Sequence, residues 1–355
     1  MMDSLDLVTT ELTQSQLLST SLDEFVASLL RMEDLDAFFC RHPTLPAILL
    51  ATTETELISA YHSTDIEHSR KAVQKTLFWL YQTFLADPLT AESKNQHHPV
   101  MVTIKRMIEK KWLAHETEHF AALPSATSPQ LFTESLRKLW SHHRSATHPL
   151  YEFLQHDASK AQMNAFFKSD SALNLLFFDL IAMAMVGARL EVRGELSRNM
   201  WDECGEGSDH HTHVNLYKDL LMRNHLELPE DNFADTLDWQ GLSGYNLFML
   251  GGTNREHYFK LIGALAITEL LDPSQYEKLV LGSKRLGFTE RDLRYYTEHI
   301  GIDVIHAEGW LQQVITPIVE KSPAAMAEIW IGANMRLNTV DNYYNHLLNS
   351  LVNLK

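Results

Sequence analysis

Along most of the chain, apolar side chains recur every three or four residues. The stretches are too long for strands and lack the strict alternation of a half-buried strand. The first runs from Thr13 to Met32. Ser21 followed by Glu24 makes a capping-box signature inside it, which allows two short helices. Residues 35–40, 54–62, 66–85, 100–120 and 130–143 also read as helices. They are punctuated by a polar segment at 87–99, with Pro88 and a His97-His98-Pro99 turn, and by a Pro/Ser/Ala linker at 123–129. A sharper break at Ser145-Ala146-Thr147-His148-Pro149 divides the chain into a helical region over 1–146 and a second region over 147–355. Helices are expected there over 150–167, 171–200, 210–224, 252–271, 276–286 and 290–315, with Pro317 as a stop, and over 322–351. Residues 227–252, rich in Pro, Asp, Gly and Asn, lie between two of these helices. No repeat, low-complexity tract or strand is evident, so the fold class is all-α.

Composition narrows the function. An apolar content of 45% supports a sizeable core, while a net charge of −16 repels phosphate backbones and argues against nucleic-acid binding. Two cysteines, Cys40 and Cys204, cannot build a disulfide framework or a Cys-rich metal site. The first residues are acidic and lack the basic-then-apolar order of a signal peptide, so a cytoplasmic location is expected. The longest apolar run, 172–190, contains Asn174, Asp179 and Arg189 and reads as a buried helix rather than a membrane span.

Three segments carry candidate chemistry. His299, Asp303 and His306 are spaced i, i+4, i+7 and share one helix face, with Ile302, Val304, Ile305 and Trp310 as apolar surroundings. Burying such a stripe is costly unless a metal neutralises it, and a solvated polar stripe is the alternative. Glu203 precedes Gly205 and Gly207, and His213 follows them. The glycines allow an irregular turn that aims both side chains at one point. Glu269 stands in the almost wholly apolar helix 261–271, where it either binds a partner or reaches water near the helix end. Three carboxylates and three imidazoles, without thiolate, suit iron or manganese better than structural zinc. Helical bundles place two-metal carboxylate sites on facing helices in this way.

This pattern resembles the haem-oxygenase-like di-iron oxidases and oxygenases, often labelled iron-containing redox enzymes. The resemblance rests on Glu203 in an Asp-Glu-x-Gly-x-Gly context, His213, Glu269, and the final His299-x3-Asp303-x2-His306. His148-Pro149-Leu150-Tyr151 and the run from Arg193 to Asn199 are also family-like, and the likeness covers roughly 147–345. It implies a haem-oxygenase-like helical bundle with an N-terminal helical extension. It also implies two iron ions (Fe2+/Fe3+) on those six ligands, O2 as co-substrate, a small-molecule substrate and an external electron donor. The ligand spacing is similar to that of N-oxygenating members, which points to oxidation of an amine, guanidine or aminoimidazole nitrogen. Desaturation or oxidative C–C cleavage of a fatty or amino acid is the family's other reaction class. Glu206 competes with Glu203, since other members use its shorter spacing to His213. Some members add a carboxylate from the preceding helix. The matching position here is Phe177, and Asp179, two residues on, is turned away by about 200°. Glu195 is a further carboxylate near the site in sequence.

Tyr258, Tyr295 and Trp310 are candidate pocket residues that serve equally well as core aromatics. His115-Glu116-Thr117-Glu118-His119 matches the H-E-x-x-H zinc-protease signature, but its helix is highly charged and no third ligand follows, which favours a solvated face. The region 1–146 carries apolar faces such as Phe78-Trp79-Leu80 that need a partner, and a homodimer layer would supply one. A non-catalytic helical binding protein remains the contrasting class.

Overall fold

A computed structural model describes residues 20–62, 66–118, 120–228 and 233–354. Helices dominate, and no strand occurs among the described residues. Residues 13–19 of the first expected helix and His119 of the protease-like motif lie outside them. The chain forms two compact units that divide at 119/120. The helix at 129–142 and the turn at 144–147, placed before the sequence break at 145–149, belong to the second unit.

The first unit contains α1 (Leu22–Leu30), α2 (Leu35–Arg41), α3 (Leu45–His62), α4 (Glu67–Gln82), α5 (Ala91–Asn95) and α6 (Pro99–Thr117). Phe25, Phe38, Leu49, Phe78, Ile108 and Trp112 form its core. Thr90 starts the short α5 within the expected polar segment, and the buried Asn95 donates to the carbonyls of Leu30 and Met32 at the end of α1. The protease-like residues have structural work. Arg70 donates to His115 Nε2 (3.1 Å), and Glu116 accepts from the indole of Trp112 (3.0 Å).

The second unit contains α7 (Pro129–His142), α8 (Pro149–His156), α9 (Lys160–Asn174), α10 (Phe177–Met185), α11 (Arg193–Glu203), α12 (His213–Arg223), α13 (Trp239–Thr253), α14 (Tyr258–Arg285), α15 (Arg294–Gly309), α16 (Thr316–Lys321) and α17 (Ala325–Asn353). Its axis is α14, packed against α17, α15, α8 and α13. The α14–α17 crossing is close because Gly263 faces the Ile329 carbonyl and Gly332 faces the Lys260 carbonyl. A Cβ at either position would clash with backbone.

Several elements differ from the periodicity. The segment 227–252, to which the periodicity assigns no helix, contains most of α13, whose Leu242, Tyr245, Leu247, Phe248, Met249 and Leu250 are all buried. Burial on every side overrides the poor helix propensity of its glycines. Ser159 caps α9 through a full capping box and splits the expected 150–167 helix. The expected 171–200 helix is interrupted twice, after Asn174 and at 186–192, where Gly187 adopts φ 66°. Conversely, α14 runs unbroken through Pro273. Pro317 does not end its helix either. A π-helical turn at Trp310–Ile315 precedes it and widens the backbone that its ring would otherwise strike.

Candidate metal centre

Glu203 is the last residue of α11 and His213 the first of α12. Between them Gly205, Glu206 and Gly207 all have positive φ (61°, 53° and 86°), and Gly205 packs so tightly on the backbone of His211 that a Cβ would not fit. This reversal brings Glu203 Oε1 to 3.0 Å from His213 Nδ1. Thr212 then caps α12 by accepting from the Asn215 amide. One helix, α15, supplies His299, Asp303 and His306 from one face, and α14 supplies Glu269.

The six side chains form two groups: Glu203, His213 and His299, and Glu269, Asp303 and His306. In each group the candidate ligand atoms lie within 4.8 Å of one another, and all six residues are buried. Thus α15 is a shared wall, with His299 turned to one group and Asp303 and His306 to the other.

Two imidazoles are held by their outer nitrogens. His299 Nδ1 donates to the Tyr295 carbonyl (2.7 Å), leaving the Nε2 lone pair inward. Burial, reinforced by His213, holds its pKa well below the usual range, so the ring is neutral. His306 Nε2 hydrogen-bonds Asp202 Oδ2 (2.8 Å), while Nδ1 faces Glu269 Oε2 at 3.5 Å. Burial lowers the His306 pKa, but Glu269 and Asp202 outweigh it and push it up to about 9. Carboxylate–histidine pairs of this kind orient metal-binding imidazoles.

The donors fit metal. Asp303 Oδ2 and His213 Nδ1 are buried without a hydrogen bond. For His213 the 3.0 Å approach to Glu203 lacks hydrogen-bond geometry. Burial and the neighbouring charges of Glu269, Asp272 and Glu203 push the Asp303 carboxyl well above its usual range. Burial also raises Glu269, against the opposing pull of His306. Crowded carboxyls and orphaned donor atoms in a buried place are what a cation relieves.

Residues 164–341, half of the chain, match the family described as iron-containing redox enzymes. The chain belongs to that family. Membership implies iron, and an all-oxygen-and-nitrogen donor set accepts it. No curated protein matches the chain. Among solved structures it aligns with a CADD-like protein of unknown function from Nostoc punctiforme, at 17% identity and a TM-score of 0.48. The alignment covers 63% of this chain and 98% of that one.

The other sequence candidates of this family member separate clearly. Glu206 is exposed in the left-handed turn and belongs to neither group. Asp179 is half-buried on α10 and Glu195 is buried, but neither belongs to a group. Glu195 accepts from Arg198 (2.6 Å) and Asn199 (3.2 Å) and packs against Gly309. Of the aromatics, Tyr295 alone lines the cavity described next. Tyr258 donates to the Ala184 carbonyl, and Trp310 donates to Asn199 Oδ1. Val304 and Ile305, expected as apolar flanks, are 59% and 56% exposed.

A cavity of about 70 Å³ reaches Glu203, Glu269, His299 and Asp303. Its walls include Phe177, Leu173 and Val340, several tyrosines, and three ionisable residues that motif reasoning missed: Asp170, Asp272 and Arg336. Asp272 lies three residues after Glu269, so helical spacing could have indicated it. Arg336 is a lone charge among Ala333, Met335, Leu337 and Val340 on α17, the one-dimensional sign of a functional or paired cation. Burial pushes the Asp272 carboxyl up to about 8, against the opposing charge of Arg336. Burial also raises Asp170, which accepts from Tyr296 (2.8 Å) and Asn174 (2.8 Å). Their partial accessibility faces this interior space, which explains how both can be surface-lining and desolvated.

Proposed function

We propose that the chain is a non-haem di-iron oxygenase that oxidises a nitrogen of a small amine, guanidine or aminoimidazole-type substrate. The observation that carries this reading is the pair of buried three-residue groups opening onto one cavity. Glu203, His213 and His299 would hold one iron, and Glu269, Asp303 and His306 the other. Iron held there would supply electrons for the reduction of O2. Each hydroxylation of N–H to N–OH consumes one O2, two electrons and two protons and releases one water, so an external electron donor is required.

The chain's own residues set the conditions. The Tyr295 carbonyl and Asp202 fix the rings of His299 and His306. Phe177, Leu173 and Val340 exclude water from part of the wall. Asp170 and Asp272 favour a cationic nitrogen. Burial pushes the Asp272 carboxyl up to about 8, so it is largely protonated near neutrality. A cationic nitrogen beside it would favour its ionised form, which can then take the proton that an ammonium must lose before its lone pair can react. The similarity of ligand spacing to N-oxygenating relatives favours nitrogen as the target over C–C cleavage or desaturation.

Anaerobic loading with Fe(II) tests the site. The expected result is about two iron ions per chain by metal analysis, in the manner of bundle di-iron sites. Reductant-dependent O2 uptake should appear when amines or guanidines are added, with products heavier by oxygen on nitrogen. His306→Ala should lose iron and O2 uptake together. Iron that stays near zero in the folded wild type would sink this reading in favour of a binding protein.

A further inference from the structure

We infer that Arg336 is the anion-binding residue of the substrate cavity and holds a carboxylate at one end of the substrate. The inference rests on the cavity being the substrate site of the preceding reading. Arg336 is 7% exposed and lines that cavity. Its Nε donates to Thr268 Oγ1 (2.9 Å), and its guanidinium lies 5.1 Å from the ring centroid of Phe248. Among the described residues its two terminal nitrogens donate to nothing, and no carboxylate lies within ion-pair distance.

That arrangement is incomplete as a structural one. A buried guanidinium without a paired anion is expensive, and a hydroxyl at Nε together with an aromatic face does not neutralise it. Asp170 and Asp272 feel the Arg336 charge across the cavity, but neither lies within ion-pair distance and burial raises both carboxyls, so neither fully neutralises the guanidinium. The Nε bond and the ring fix the plane of the fork and leave two parallel donors for a planar acceptor. This is the geometry in which arginine recognises carboxylate bidentately. Thr268, which anchors the fork, is adjacent in sequence to Glu269, so an anion on Arg336 would place the rest of a short substrate near the metal-binding groups. With Asp170 and Asp272 available to a cation, the preferred substrate carries both a carboxylate and a basic nitrogen.

Isothermal titration of the metal-free full-length protein separates this from the iron chemistry. The probes are butyrate, its neutral isostere butyramide, and butylamine. Butyrate should bind at least tenfold more tightly than butyramide, and Arg336→Gln should weaken butyrate about tenfold or more while leaving butyramide unchanged. Arg336→Lys keeps the charge without the fork and should fall between them. Equal binding of butyrate and butyramide by the wild type would overturn the inference even if Arg336→Gln failed to fold. So would binding of butyrate that requires iron and survives Arg336→Gln. Iron loading of the wild type is scored separately and tests only the di-iron reading.

Discussion

Asp202 shows how much a single side chain can carry without touching a ligand position. It accepts from His306 Nε2 and so presents Nδ1 to the Glu269 side. Removing such an outer partner weakens metal affinity by about 10–100-fold. Asp202→Ala should therefore lower the apparent Fe(II) affinity by that factor in anaerobic competition titrations, while circular dichroism stays that of the wild type. Unchanged affinity would assign the bond to packing alone. Asp272 makes a pH prediction. Its folded pKa, about 8, lies above the ordinary carboxylate value, so the folded state binds the extra proton. It contributes no penalty below about pH 4, and its ionisation penalises folding progressively as pH rises toward 8. Asp272→Asn should therefore gain stability relative to wild type across that window. Denaturant unfolding of the metal-free protein at pH 5 and pH 8 should show the larger gain at pH 8.

At the scale of elements, the site depends on how closely α14 approaches α17. Gly263 and Gly332 leave no room for a methyl group at the crossing. Gly263→Ala should cost about 1–3 kcal/mol by overpacking, read as a lower denaturation midpoint with an unchanged slope. It should also loosen the Thr268–Arg336 contact that the crossing sets. The turn at 205–207 is the other decisive element. A Cβ at Gly205 would strike the His211 backbone, so Gly205→Ala should separate Glu203 from His213 and reduce iron loading. The π-helical turn at Trp310–Ile315 follows α15 within about one turn of His306, and widened turns commonly accompany functional residues.

For the whole molecule, metal and stability are linked. A cation that binds only the folded chain stabilises it by about 2.7 kcal/mol at a free concentration 100 times its Kd. Fe(II) loading should raise the Tm of the second unit by roughly 5–10 °C, and a chelator should reverse the shift. A Tm indifferent to iron would place the buried groups outside any metal linkage. Among the described residues, no helix is long and apolar enough to cross a membrane.

The sequence by itself determined the helical class, the stripe on α15 and the cost of burying Glu269, because these follow from local periodicity and the chemistry of single residues. It also located the loosened turn between Glu203 and His213, since glycine and positive φ are linked at short range. Only the tertiary structure decided that His299 joins Glu203 and His213 while Asp303 and His306 join Glu269. One helix face can serve two neighbours, and the choice depends on how α11, α12 and α14 pack around it. The same holds for α13, whose glycine-rich sequence becomes helical only when every side is buried, and for Arg336. Its charge is visible in sequence, but its hydrogen bond to Thr268 and its place on the cavity wall are facts of three-dimensional packing.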